Sequence, residues 1–240
     1  MAKEKKLIQW HPAFYAALRL DFEEDWSMLE FQETFELTDA PMKIDCIVIK
    51  KILDEPLKNE IGYMFKGHNI IEYKSPDDEL NIDVYYKTVA YGCLYKISPR
   101  HKDVIEISDI TITLLRDKYP RNLFRCFEDL GYEVTKLVNG IYYIQGNIMF
   151  PTQVIVSSEL ELAQHLQLKA LTNQITEQLF VEFVQNYPKE DERKKKLADV
   201  VLQAISESNK KNIEYWKEMN TAMYEALRYI MKDEIEAGRE

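Results

Sequence analysis

The sequence predicts an α/β fold: a mixed central sheet flanked by helices, with a C-terminal helical extension. Three observations carry this. Short β-type runs and helical patterns alternate over residues 1–172. The β-branched run Ile110–Leu115 (ITITLL) reads as a central strand. Beyond residue 172 the pattern is helical only, which predicts a domain over 1–172 and a helical extension over 173–240.

The elements follow in order. Phe14, Ala17, Leu18 and Phe22 have helical spacing, and Pro12 suits a first turn, so a helix is expected over 12–25. Residues 28–37 alternate Leu29, Phe31, Phe35 and Leu37 with polar neighbours and predict a strand. After the turn at Asp39-Ala-Pro41, residues 43–50 predict a second strand, and 69–74 a third beyond a polar loop. Ser75-Pro76-Asp77-Asp78 punctuates the chain before a helix over 80–96. The central strand 110–115 precedes a helix over 119–130 with Gly131 past its end. Asn139-Gly140 joins 132–138 to 141–144 as a hairpin. A strand at 153–156 and a helix at 159–171 complete the domain. In the extension, apolar residues from Leu197 to Ile230 recur at three- and four-residue steps, with an interruption near 206–212. They describe either a helix pair packed on the body or an arm for homo-oligomer formation.

Composition narrows the function. A net charge of −10 excludes a chain whose whole surface binds nucleic acid. Cys46, Cys93 and Cys126 have no metal-ligand spacing and read as reduced core thiols of a cytoplasmic protein. No apolar run approaches the roughly 18 residues that a membrane span needs, so no membrane partner is expected. The histidines lack zinc-site spacing, Gly62 and Gly67 are not followed by Lys-Ser/Thr, and neither G-x-G-x-x-G nor G-x-S-x-G occurs.

Charge inside β-type runs is the informative feature. Asp45 lies in the strand 43–50, and Glu72-Tyr73-Lys74 ends the strand 69–74. Burying an unpartnered ionised group costs several kcal/mol, so charges here are expected to be used. Three Glu-x-Lys triplets occur, but those at 4–6 and 192–194 lie in charged stretches; only Glu72/Lys74 ends an apolar run. Strand alternation puts Glu72 and Lys74 on one face and Tyr73 on the other. If strands 43–50 and 69–74 pair, Asp45 can lie beside Glu72. Such a site suits Mg²⁺ (or Mn²⁺), held by Asp45, Glu72 and the backbone carbonyl of Tyr73, with Lys74 orienting or deprotonating water. The plain alternative is an ion pair of Asp45 with Lys74 at the sheet edge, leaving Glu72 solvated.

An acid on one strand and Glu-x-Lys ending the next resembles the PD-(D/E)XK nuclease superfamily. Leu7-Ile-Gln-Trp-His11-Pro12 together with Asn69-Ile-Ile-Glu-Tyr-Lys-Ser-Pro-Asp-Asp78 is similar to its recombination-promoting nuclease and transposase-like (Rpn/transposase-31) branch. The resemblance covers residues 7–170. It implies a restriction-endonuclease-like fold and a Mg²⁺-dependent DNA endonuclease linked to recombination or transposition, with Asp45, Glu72 and Lys74 at the catalytic positions. It also implies an acid on the first helix, for which Glu23 and Glu24 are both candidates. Pro41 stands four residues before Asp45 rather than adjacent to it.

For DNA contact, residues 96–125 carry seven basic side chains against four acids. Arg100, Lys102, Lys118, Arg121 and Arg125 form the candidate phosphate-binding rim, with a solvated surface as the alternative. Tyr85, Tyr86 and Tyr91 are either core or substrate contacts, and His68 either touches substrate or is solvated. The acidic balance and long extension support a second function class: a catalytically silent nuclease-fold protein that binds partners through its helical tail.

Overall fold

The computed structural model describes residues 8–33, 35–36, 43–44 and 46–219. In chain order the elements are α1 (Trp10–Asp21), β1 (Leu29–Gln32), β2 (Phe35–Glu36), β3 (Lys43–Ile44), β4 (Ile47–Lys51), β5 (His68–Tyr73), α2 (Ile82–Ile97), β6 (Ile110–Arg116), α3 (Arg121–Asp129), β7 (Glu133–Val138), β8 (Ile141–Gln145), β9 (Thr152–Val156), α4 (Leu162–Ala170), α5 (Glu177–Gln185), α6 (Glu192–Ser208) and α7 (Lys210–Met219). Seven strands form a mixed sheet in the order β1-β4-β5-β6-β9-β8-β7, so the chain is α/β as expected. Among the described residues no helix is long and apolar enough to cross a membrane.

Two compact units divide the chain, one spanning 21–165 and the other combining 1–20 with 166–240. The sequence-based division follows chain order, whereas packing groups α1 with the C-terminal helices. In that second unit α5 buries Phe180, Phe183 and Val184, and α6 buries Ala198, Val201, Leu202 and Ile205. Asn209 ends α6, donates to the Thr172 carbonyl at 2.7 Å and accepts from the Ile175 amide at 3.1 Å. Among the described residues α6 and α7 meet at Asn209, within the interruption expected near 206–212, and a further helix precedes them. The missed one, α5, starts at Thr176, whose side chain accepts from the Leu179 amide.

The sheet belongs to unit 21–165. Antiparallel pairing joins β4 to β5, with Ile47 opposite Ile71 and Val48 opposite Ile70. β5 and β6 run parallel, with Glu72 opposite Leu114 and Tyr73 opposite Leu115. On one face Val48, Ile70, Ile112, Leu114, Val154 and Val156 pack with Tyr85 and Tyr95 of α2 and Leu123 and Phe127 of α3. Helix α2 comes close to its neighbour because residue 92 is glycine: a Cβ there would lie 2.8 Å from the Phe150 ring. On the opposite face buried polar side chains link the strands. Thr111 Oγ1 donates to Asn69 Oδ1 at 2.6 Å, and Gln153 Nε2 donates to Thr113 Oγ1 at 2.9 Å.

Two expected strands are broken. The run 28–37 divides into β1 and β2, and 43–50 into β3 and β4; β2 and β3 form a separate two-stranded sheet. In the first run Glu33 interrupts the apolar alternation between β1 and β2, whereas Ile44, Cys46 and Val48 carry it on across the second break. Asp45 lies outside the described residues. The hairpin β7–β8 forms around Asn139-Gly140, where Gly140 has φ +76° and Gly131, past α3, has φ +79°.

Asp21 and His165, the first and last residues of the sheet-bearing unit, are bound to each other. His165 Nδ1 lies 2.8 Å from Asp21 Oδ2, to which Asn59 Nδ2 also donates at 2.6 Å; Glu60 Oε2 is 3.9 Å from His165 Nε2. Burial opposes charge on His165, but its bond to and attraction by Asp21 outweigh that and raise its pKa. A raised histidine stabilises fully below the free value of about 6.5, and that contribution is lost as pH rises through the native value. Denaturant midpoints should therefore fall from about pH 6.5 upward, and Asp21→Asn should flatten the profile; a flat wild-type profile would refute the charged pair. Gly140→Ala should cost about 2 kcal/mol or more in urea unfolding, because its Cβ would meet the Val156 carbonyl at 2.8 Å in a left-handed backbone. A loss under about 0.5 kcal/mol would contradict this close approach.

Candidate active site

Glu72 is the penultimate residue of β5, on the face covered by α2, and is 2% exposed. Its carboxylate is enclosed by three donors. Lys74 Nζ and Lys87 Nζ both reach Oε1, at 3.0 and 3.1 Å, and Cys46 Sγ donates to Oε2 at 2.8 Å. Each partner has a local cause. The β4–β5 register carried one residue on sets Cys46 opposite Glu72. Lys74 follows β5 but stays in the ladder through its amide, which donates to the Leu115 carbonyl at 2.9 Å, so it keeps the face that alternation assigns. Lys87 comes from the second turn of α2, a helix whose start is capped by Asn81 accepting from the Val84 amide.

The two ammonium groups differ in setting. Lys74 is 20% exposed and Lys87 39%. The Lys87 ammonium also lies 5.3 Å from the centre of the Tyr91 ring, one turn further along α2. Burial disfavours its charge, but attraction to Glu72 and the hydrogen bond prevail and raise its pKa. Tyr73 turns to the other face, 4% exposed, where burial and then Asp117 and Asp78 push its phenol far up, so it stays protonated. Beyond Lys74 a tight turn forms, with Ser75 Oγ donating to Asp78 Oδ2 at 2.6 Å. Lys118, two residues past β6, donates to the Pro76 carbonyl at 3.0 Å.

Of the expected site residues, Glu72 and Lys74 come together; Asp45 lies outside the described residues, so its relation to them is not described. The alternative with a solvated Glu72 is overturned by its burial and its pairing with Lys74. Among the described residues no group of three or more His, Cys, Asp and Glu side chains is gathered as a metal site. The Glu72 carboxylate still suits a hard divalent ion. The protein directs two ammonium heads at one of its oxygens, and the Tyr73 carbonyl follows it along the strand. The first-helix acids Glu23 and Glu24 fall after α1, in a 3-10 turn over 23–28, where Glu24 pairs with Lys58 at 2.9 Å.

The other candidates separate. His68 begins β5, four residues or about 13 Å of strand from Glu72. It hydrogen-bonds Tyr95 at 2.8 Å, and burial, then nearby His101, lower its pKa to about 4. It is therefore neither solvated nor at the site. Its ring lies 5.5 Å from that of His101, so Arg100 and Lys102, which flank His101, belong to the far end of the sheet from Glu72. Lys118, Arg121 and Arg125 follow the C-terminal end of β6 and stand at the Glu72 end. Tyr85 is core, edge-on to Phe127 at 5.0 Å, while Tyr86 is half exposed.

Sequence reasoning missed Lys87 and Cys46. Cys46 had a signal, since it follows Asp45 in a strand, and alternation presents either residue to a given face. Lys87 had none, because only the packing of α2 on β5 brings it to Glu72. Comparison of the chain with protein-family models, curated proteins and solved structures gave no match.

One carboxylate serving two cations makes the members unequal. Glu72→Gln leaves two ammonium groups facing each other in a partly dry pocket and should lower unfolding stability by about 1–3 kcal/mol. Lys87→Met leaves Glu72 neutralised by Lys74 and should cost under about 1 kcal/mol. Urea unfolding of both variants checks this, and equal losses would contradict the unequal roles.

Proposed function

We propose that this chain belongs with the PD-(D/E)XK nucleases and is a metal-dependent DNA endonuclease that hydrolyses phosphodiester bonds. One observation carries the reading: the Glu72 carboxylate, buried at the end of a central strand, shares its Oε1 with Lys74 at 3.0 Å. The resemblance of 69–78 to the Rpn/transposase-31 branch supports it and suggests a link to recombination or transposition. Mg²⁺ or Mn²⁺ would be held by Glu72, Asp45 and the Tyr73 carbonyl, and when bound it supplies Lewis-acid polarisation of the phosphate and a more acidic water. Lys74 has reach and charge to orient the water and to offset charge on a non-bridging phosphate oxygen as the water oxygen bonds to phosphorus, the opposite P–O ester bond breaks, and the departing oxygen takes a proton from solvent while the attacking water gives one up. Lys118, Arg121 and Arg125 lie at the same end of the sheet and are the basic residues best placed to hold the flanking backbone.

A second reading draws on the same contacts. Lys74, Lys87 and Cys46 satisfy Glu72 without any ligand, as a catalytically silent scaffold that binds partners through its helical tail would have it.

Supercoiled plasmid DNA with Mg²⁺ or Mn²⁺ discriminates the two. Wild type should nick or linearise it, and Asp45→Ala, Glu72→Gln and Lys74→Met should each reduce the rate at least about a hundredfold. Intact plasmid with wild type, or undiminished cleavage by the variants, would sink the nuclease reading.

A further inference from the structure

Among the described residues the charges that meet at Glu72 do not balance. Two ammonium groups share the Oε1 of one carboxylate, while its Oε2 receives a neutral thiol. Among the described residues one ammonium balances Glu72, and the second adds positive charge to a pocket where the carboxylate is 2% exposed. A divalent ion on the same carboxylate would face both ammonium groups at short range, and like charges at such a distance in a half-dry site repel by several kcal/mol. One of them has to withdraw.

The surroundings decide which. Lys74 is 20% exposed and tied to the sheet by its own backbone amide. Lys87 is 39% exposed, so its head reaches water at little cost, and it already lies 5.3 Å from the Tyr91 ring one turn away. We infer that Lys87 is a resident counter-cation, whose ammonium holds on Glu72 Oε1 the place of a divalent ion and is displaced when that ion binds. Lys87 is thereby a positioning and regulatory residue of the site. It balances the buried carboxylate and holds it aligned without metal, and it sets the concentration of metal needed to load the site. The inference rests on the metal-dependent reading.

Calorimetric titration of Mn²⁺ into the full chain tests it, with thermal unfolding measured with and without Mn²⁺. Lys87→Met should bind Mn²⁺ with a Kd about three- to tenfold lower than wild type. Its metal-free Tm should fall, and its gain in Tm on adding Mn²⁺ should exceed that of wild type. Lys87→Arg keeps the charge and should bind as wild type does; Lys87→Gln, a polar replacement, should follow Lys87→Met and guards against a packing defect particular to methionine. Equal Kd values for wild type, Lys87→Met and Lys87→Gln would overturn the inference while leaving the metal site standing. If wild type binds no Mn²⁺, or binds it no better than Glu72→Gln, the metal-dependent reading fails and the inference with it.

Discussion

Glu72 imposes the governing constraint on this structure. Its carboxylate is sealed between β4, β5, β6 and α2, on a face otherwise built from valine, isoleucine and leucine. A lone charge there would cost several kcal/mol, so the surrounding elements have to bring donors to it. The strand itself brings Lys74, β4 brings Cys46, and α2 brings Lys87. Helix α2 is thus placed by two demands. Tyr85 and Tyr95 fill the apolar layer, and between them one lysine points back to the end of β5.

That arrangement joins energetics to chemistry. Groups that keep a buried carboxylate ionised are also groups that handle a phosphate and a water molecule. A carboxylate with a single ammonium would be balanced, whereas here, among the described residues, two ammonium groups meet one carboxylate. The parallel pair β5 and β6 directs the loops that follow both strands toward the same edge, so Ser75–Asp78 and Lys118 converge near Glu72. In open α/β sheets the carboxyl ends of parallel strands are where ligands bind, and Glu72, Lys74, Lys87 and Lys118 stand at that end.

Much of this was legible in the sequence. Alternation, turn chemistry and the Asn-Gly signal located most elements of the sheet-bearing unit, and the apolar context of Glu72-Tyr73-Lys74 pointed to a triplet whose acid is buried and paired with its lysine. What escaped shares a physical character. The break in the second expected strand leaves the apolar period unchanged, a single residue, Glu33, marks the first, and α5 is a short helix that starts at its Thr176 cap. Lys87 reached the site through helix–sheet packing, which no local spacing encodes. The basic residues of 96–125 read as one rim because they are close in the chain, yet α2 carries Arg100 and Lys102 to the far end of the sheet.

The polar side chains on the reverse of the sheet have a consequence for the face that carries Glu72. Asn69, Thr111, Thr113 and Gln153 are buried and bonded across β5, β6 and β9, with Asn69 Nδ2 also donating to the Ile49 carbonyl at 3.0 Å. A strand of isoleucines and valines can slide past its neighbour with little penalty, and a slip of one residue would swap its two faces. Here such a slip would turn Tyr73 toward α2 and bury Glu72 among the residues behind the sheet. The hydrogen-bonded pegs make that misalignment costly, because each would leave a donor or acceptor stranded. Side chains that never see a ligand therefore act as the indexing pins that keep Glu72 facing its lysines.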